Sequence, residues 1–356
     1  MRIVVAMSGG VDSSVAAALL AGDGNDVIGL SMQLYDQENG QHKFGSCCTL
    51  DDLTDARRVA TQLGIPHYIV NFEQQFEEHV VAPFVDEYIN ARTPIPCVQC
   101  NSDLKFSRLL DRALGLNADY VATGHYARVV KLAMDDGSHI YQLYRAVDRN
   151  KDQSYFLFSL TQEQLSRACF PLGELSKDAV RTHARHYGLS VVANKPDSHE
   201  ICFVPDGQYA TFVEQRSPKV GTPGNIVNQL GQTIGEHGGV HRFTVGQRKG
   251  LGLSSEHPLY VTTLDAQSNT VTVGPRDALE ETRLTASNVN WIVKPPRQGA
   301  HLSAQIRHRH PIAPCRVWAD DNELQVEFDQ PQQAIAPGQA VVVYENDLVL
   351  GGGWIQ

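Results

Sequence analysis

At 356 residues the chain exceeds what one hydrophobic core usually serves, so two or three domains are expected. A hydrophobic share of 42% with 20% charged residues excludes a disordered or fibrous chain, and a net charge of −10 argues against a uniformly basic coat for nucleic acid while leaving room for local basic patches. No apolar run is long enough to cross a bilayer and the first residues lack the basic and apolar regions of a secretory signal, so no membrane partner and a cytoplasmic address are expected.

In chain order, residues 3–7 read as an apolar strand that runs into Ser8-Gly9-Gly10-Val11-Asp12-Ser13 and then into an alanine-rich helix over 11–20. Adjacent glycines let backbone N–H groups approach an anion, and the helix aims its unpaired N–H groups and positive dipole end at the same point. No Gly-Lys-Ser/Thr follows at Walker A spacing, and the glycines do not form G-x-G-x-x-G. Strands over 27–34, 67–70 and 120–123 alternate with helices over 51–63, 73–89 and 104–114. That alternation predicts an α/β fold with a doubly wound parallel sheet and ligands at the carboxyl ends of its strands, where Ser8 to Ser13 and Thr123-Gly124-His125 both fall. Residues 205–250 turn loop-rich and glycine-rich. From about Leu259, alternating stretches at 260–264, 270–273, 302–306, 315–318, 324–328 and 340–344 suggest a small β-barrel. The expected organisation is a catalytic domain over 1–204, a small central domain over 205–275 and a C-terminal β-barrel over 276–356.

In a reducing compartment the seven cysteines are catalytic, metal-binding or buried rather than a disulfide framework. Residues 92–102 read RTPIPCVQCNS, with Asn101 as a cap for the helix expected near Leu104; a thiol just before a helix N-terminus has its thiolate stabilised by the dipole. Cys97-x-x-Cys100 has three readings: a redox pair, part of a metal or iron–sulfur site, or one reactive thiol with an incidental neighbour. Cys97, Cys100 and Cys202 together offer three ligands to a [4Fe–4S] cluster with one open iron. Spacing alone does not join Cys202 to Cys100; by itself, between Ile201 and Phe203, it reads as a packing residue. Cys47-Cys48, Cys169 and Cys315 also read as packing residues. His308 and His310, two apart in Arg-His-Arg-His-Pro, fit one face of a strand that contacts RNA.

Ser8 to Ser13 resembles the PP-loop, SGGxDS, of enzymes that cleave ATP to AMP and pyrophosphate, the adenine nucleotide alpha hydrolase-like fold. Together with TPIPCVQCN, TGHYAR (123–128), KDQSYFL (151–157), EICFV (200–204) and GQRKGLG (246–252), in this order, the chain resembles the bacterial tRNA-specific 2-thiouridylase family over nearly its whole length. The resemblance implies adenylation of the C2 oxygen of the wobble uridine at position 34, followed by sulfur transfer from a protein persulfide. It implies ATP contacts at Ala6, Met7, Ser8, Gly9, Gly10, Val11, Asp12, Ser13, Met32 and Gly124. Cys100 would be the nucleophile and Cys202 the persulfide carrier, with a transient disulfide between them. Contacts to tRNA would fall on Ile95, Pro96, Cys97, His125, Lys151, Asp152, Gln153, Arg307, His308 and Gln339. The commonest family pattern has Asn between the two prolines, and Ile95 removes its side-chain hydrogen bond. Asp12 would hold Mg2+ beside the pyrophosphate, with helix capping as its structural alternative. The implied partners are tRNAs accepting Lys, Glu or Gln and a sulfur donor such as a cysteine desulfurase or a relay protein. The rival readings are cluster-dependent thiolation at Cys97, Cys100 and Cys202, and another PP-loop ATP pyrophosphatase acting as a ligase.

Overall fold

The computed structural model describes residues 1–35, 50–196, 201–204, 207–217, 220–320 and 322–356. Cys47-Cys48 and the residues 197–200 ahead of Ile201-Cys202 lie outside that set. The chain divides into two compact units: residues 1–80, 97–207 and 347–349 in the first, and 81–96, 208–346 and 350–356 in the second.

The first unit is built on a parallel sheet of β1 (Arg2–Ala6), β2 (Asp26–Gln33), β3 (His67–Asn71), β4 (Tyr120–Ala122) and, after the hairpin described below, β7 (Ala168–Cys169). Its strand order is β3-β2-β1-β4 followed by Ala168–Cys169, so the chain reverses direction across the sheet between β1 and β4. In open α/β sheets ligands bind at that switch point, outside the carboxyl ends of the strands. Helix α1 (Val11–Gly22) lies almost wholly buried from Ser13 to Ala18, because a row of Ser and Ala side chains lets its backbone approach the sheet. Val15, Ala16 and Ala17 share one core with Ile3, Val5, Val180 and Ala184. Helix α2 (Leu50–Leu63) turns Ala56, Val59 and Ala60 into the same core.

A hairpin the sequence reading missed, β5 (Ala127–Ala133) with β6 (His139–Arg145), follows the TGH segment, and Leu348 and Val349 pair with Tyr144 and Leu143 of β6. The single helix expected over 73–89 is three pieces: Glu73–Phe76, a π-helical stretch Glu77–Val81, and Ala82–Ile89. The helix expected from 104 begins instead at Pro96, runs through Pro96–Gln99 and a π-helical stretch Cys100–Arg108, and ends as Leu109–Gly115. Pro96 explains the early start, since its fixed φ and missing N–H suit the first helical position.

In the second unit the loop-rich segment holds helix Tyr209–Arg216 and two strands, β8 (Gly224–Val227) and β9 (Thr233–His237). These join β10 (Tyr260–Asp265) and β11 (Thr270–Gly274) in a four-stranded sheet of order β10-β11-β8-β9 around Ile226, Val261, Val271 and Val273. The two stretches at 260–264 and 270–273 therefore belong to the central sheet and not to the barrel. The barrel comprises β12 (Glu280–Trp291), β13 (Ala300–Gln305), β14 (Ala313–Ala319), β15 (Glu323–Gln333), β16 (Ala340–Glu345) and β17 (Leu348–Ile355), closed by pairing of β12 with β17. Among the described residues no helix is long and apolar enough to cross a membrane.

Candidate active site

The loop after β1 turns on Gly9, whose φ of +73° is open to glycine at little cost and whose absent Cβ would overlap the carbonyl oxygen of Asp52. Gly10 is the N-cap of α1 and provides no side chain to satisfy the first-turn N–H groups. Serines hold the turn: Ser8 N donates to Ser13 Oγ at 3.1 Å, and Ser14 Oγ donates to the Gly10 carbonyl at 2.8 Å. Asp12 sits in the first turn of α1 and caps nothing. Its Oδ1 accepts from Tyr126 Oη at 2.8 Å, and Lys177 Nζ lies 2.8 Å from each of its oxygens.

Across the switch point, Gly124 follows β4. A Cβ there would stand 2.6 Å from Ser13 N and 2.7 Å from the Asp12 carbonyl carbon, so glycine is required for the TGH segment to lie against the start of α1. Met32, near the end of β2, has its side chain buried. The candidate nucleotide residues of β1, the loop, α1, β2 and the TGH turn thus gather at one sheet edge.

Two lysines at this edge escaped the sequence reading. Lys177, only 8% exposed, neutralises Asp12. Lys195 Nζ reaches the Gly9 carbonyl at 3.0 Å, Asp52 Oδ1 at 2.7 Å and Asp55 Oδ2 at 2.8 Å. Burial works against the Lys195 charge, but the bonds and charges of Asp52 and Asp55 outweigh it and raise its pKa above the ordinary lysine value. Nothing in sequence marks these lysines, which lie 165 and 186 residues from their loop partners.

The pairing of Asp12 bears on its reading as a magnesium ligand. Both its oxygens are engaged by one ammonium, and among the described residues no group of three His, Cys, Asp or Glu side chains is placed to hold a metal ion. Asp12 is therefore paired with Lys177 in this structure. Nor, among the described residues, are Cys97, Cys100 and Cys202 placed as a three-ligand set, so the cluster reading is not favoured.

Cys100 begins the π-helical stretch, one turn inside a helix that starts at Pro96, so it does not precede the helix N-terminus as expected. A π stretch within an α-helix often marks a functional site. Asn101 is buried and caps nothing; its Nδ2 donates to the Phe156 carbonyl at 3.1 Å and its Oδ1 accepts from Lys105 Nζ at 3.0 Å. Cys97 is exposed, and Cys100 and Cys202 are half-exposed. Phe203, beside Cys202, is buried edge-on against Phe76 with ring centroids 5.4 Å apart. Phe76 ends the short helix Glu73–Phe76, which also packs on the helix bearing Cys100. Both thiol-bearing segments are therefore seated on the same element. Burial pushes the Cys169 thiol up to about 11, while burial and then the Asp329 charge push Cys315 to about 12, which suits packing residues.

Of the candidate tRNA residues in the first unit, His125 is buried between the tilted ring of Phe106 and Phe170, which it meets edge to face, with Nδ1 2.7 Å from Thr123 Oγ1. Burial, and then the Lys105 charge, hold its pKa well below the usual histidine value, so the ring is neutral. Asp152 pairs with Arg145 Nε at 2.8 Å and accepts from the Ala146 and Ser154 N–H groups; Gln153 Oε1 accepts from Tyr126 N at 3.0 Å. Lys151, half-exposed, rides on the turn these bonds fix. In the second unit Ile95 and Pro96 are buried, and Gln339 Nε2 donates to the Thr93 carbonyl at 2.9 Å. Arg307 donates to the carbonyls of Gln333 and Ala334 at 2.9 and 3.1 Å. The Arg307 to His310 segment is a turn after β13, with Arg309 at φ +64°, and not the strand expected from the spacing of its histidines.

A glycine-turned phosphate loop at the switch point of a 3-2-1-4 parallel sheet, with two partly exposed thiols in the same unit, defines a PP-loop enzyme carrying sulfur chemistry. Three family models match: the "tRNA methyl transferase HUP domain" over residues 1–206, the "tRNA methyl transferase PRC-barrel domain" over 210–275 and the "Aminomethyltransferase beta-barrel domain" over 281–355. A "tRNA-specific 2-thiouridylase MnmA" of Geotalea uraniireducens is 53% identical over 100% of this chain and 95% of its own length. Proteins of the same name from Solibacter usitatus and Geobacter metallireducens are 53% and 50% identical, each over 99% of this chain and over 99% and 96% of their own lengths. The chain belongs to the tRNA-specific 2-thiouridylase family.

Proposed function

We propose that the chain converts the wobble uridine at position 34 of its tRNA substrates to 2-thiouridine, consuming ATP. The C2 carbonyl oxygen attacks the α-phosphorus of ATP held at Ser8 to Ser13, with Ala6, Met7, Met32 and Gly124 around the nucleotide; pyrophosphate leaves and an O-adenylate remains. Loop N–H groups offset the phosphate charge, while Lys177 cancels the Asp12 carboxylate beside them. The terminal sulfur of a Cys202 persulfide attacks C2, and AMP departs with the original oxygen. Cys100 thiolate then attacks Cys202 Sγ, breaking the S–S bond so that the transferred sulfur stays on C2 and a Cys100–Cys202 disulfide forms. Cellular thiols reduce that disulfide, and a cysteine desulfurase or relay protein reloads Cys202. A cytoplasmic setting suits this cycle. Bringing an anticodon base to the loop requires that base to leave its stack.

Direct tRNA contact is assigned to Lys151, Cys97 and the Arg307-His308 turn. Asp152, Gln153, Gln339, His125, Ile95 and Pro96 act chiefly by fixing the backbone around these. The tRNAs accepting Lys, Glu and Gln are the proposed substrates.

The observation that carries this reading is the seating of both the Cys100 helix and the Cys202 segment on the Glu73–Phe76 helix, in the unit that holds the phosphate loop. Protein incubated with ATP, Mg2+, a persulfide source and unmodified tRNA is expected to form 2-thiouridine by nucleoside mass spectrometry. Cys100→Ser and Cys202→Ser are each expected to abolish it. Full activity in both variants would sink the two-thiol mechanism.

A further inference from the structure

We propose that Lys195 is a positioning residue for ATP, acting through the Gly9–Gly10 peptide. The inference rests on the reading of Ser8 to Ser13 as the nucleotide loop. Lys195 Nζ donates to the Gly9 carbonyl at 3.0 Å. No peptide in the described chain is cis, so the Gly10 N–H points opposite to that carbonyl, away from the lysine and away from Asp52 and Asp55. An ammonium on the carbonyl polarises the peptide and makes its N–H a stronger donor, as in any hydrogen-bonded chain of amides. Gly10 is also the N-cap of α1, so this strengthened donor stands at the positive end of the helix dipole.

The surroundings of Lys195 suit that task. Asp52 and Asp55 hold the ammonium in place at 2.7 and 2.8 Å, on the Gly9 carbonyl side of the peptide. Gly9 lies so close to the Asp52 backbone that no side chain fits between the loop and the first turn of α2. The backbone of Lys195 is itself fixed: its carbonyl accepts from Arg181 and its N–H donates to the Val192 carbonyl. Arg181 stands one turn after Lys177 on helix Lys177–His186. That helix therefore reaches the loop from two sides, through Lys177 to Asp12 and through Arg181 and Lys195 to Gly9.

A polarised donor improves binding of phosphate and not of the base or sugar. ATP and adenosine affinities, the latter by displacement, are to be measured for wild type, Lys195→Met and Lys195→Arg. Lys195→Met is expected to bind ATP about tenfold more weakly, the worth of one charge-assisted hydrogen bond, with adenosine changed by less than about twofold. Lys195→Arg, which keeps a cation on the carbonyl, is expected to recover most of the loss. Lys195→Met combined with Asp52→Asn and Asp55→Asn leaves no unpaired buried charge and guards against a folding defect; it is expected to keep the ATP-specific loss. Equal weakening for ATP and adenosine, unchanged ATP affinity in Lys195→Met, or recovery in the triple variant would overturn the inference. Wild-type protein that does not bind ATP would overturn the reading of the loop itself.

Discussion

Gly124→Ala places one methyl group where the structure has no room. Its carbon would lie 2.6 Å from Ser13 N, 2.7 Å from the Asp12 carbonyl carbon and 2.9 Å from Asp12 Cβ. Ordinary contacts between such atoms fall near 3.5–4.0 Å, so the TGH turn and the start of α1 must separate by about 1 Å. Two of the three atoms are backbone, and no flexible side-chain end can yield. Overpacking of this kind costs about 1–3 kcal/mol of stability. A shift of about 1 Å in a group that positions substrate costs about 100-fold in rate, so the activity loss should exceed what stability alone predicts. The control is Gly115→Ala at the end of helix Leu109–Gly115, where an added Cβ meets nothing within 4 Å. That change is expected to be neutral or to stabilise by up to about 1 kcal/mol through the unfolded state. The assay is tRNA-dependent AMP release, resolved into kcat and KM for ATP, beside thermal unfolding of both variants. Wild-type kcat, KM and Tm in Gly124→Ala would refute the account of why glycine is needed there.

Two further outcomes follow from the titratable groups. Lys177→Met keeps the aliphatic stem but leaves Asp12 without its ammonium; since Asp12 is 32% exposed and retains some hydration, the stability loss should be about 1–2 kcal/mol, read by thermal unfolding, while KM for ATP rises. The folded His125 binds its proton more weakly than the unfolded ring does, so its contribution to stability is present above the usual histidine pKa and is lost as pH falls below about 6.5. Lowered pKa values at His67, His237 and His310 act in the same direction. Denaturant midpoints measured from pH 7.5 to pH 5 should therefore fall, and His125→Gln should flatten the fall without removing it; an unchanged slope in that variant would refute the assignment.

The phosphate loop was legible because its information is local. Two glycines between an apolar strand and an alanine-rich helix specify a backbone shape, and that shape needs no distant partner to be recognised. Strands β1 to β4 of the parallel sheet were legible for the same reason, with bounds within a residue or two of those found, whereas the two-residue edge strand Ala168–Cys169 was not. Features set by tertiary contact were not. The strand Leu348–Ile355 reads LVLGGGWI, and three glycines ordinarily argue against a strand. In the structure those glycines are what closes the barrel: a Cβ on Gly351 would overlap the Asn290 carbonyl oxygen, and one on Gly353 would lie 3.0 Å from the Ser287 carbonyl oxygen. Likewise the Arg307 to His310 run alternates like a strand, but the chain turns there, with Arg309 in the left-handed region and His310 N bonded back to the Arg307 carbonyl.

The lysines make the sharper case, because their residue type gave the opposite signal. A lysine in a helical or loop segment reads as a solvated surface charge, and only the fold reveals that Lys177 and Lys195 are spent on the loop. Their partners show why the loop needs them. Asp12 lies in the first turn of α1, while Asp52 and Asp55 stand with Lys195 on the Gly9 side of the loop, in a chain whose net charge is already −10. An unneutralised carboxylate within a few ångströms of phosphate repels it by several kcal/mol at protein-like dielectric, of order 332/(20 × 4), or about 4 kcal/mol per unit pair. The glycine turn alone supplies N–H groups in the right place, but those groups cannot offset three fixed negative charges. Two ammoniums answer these three acids, Lys177 holding Asp12 and Lys195 shared between Asp52 and Asp55, and that pairing is written in residues far from the motif.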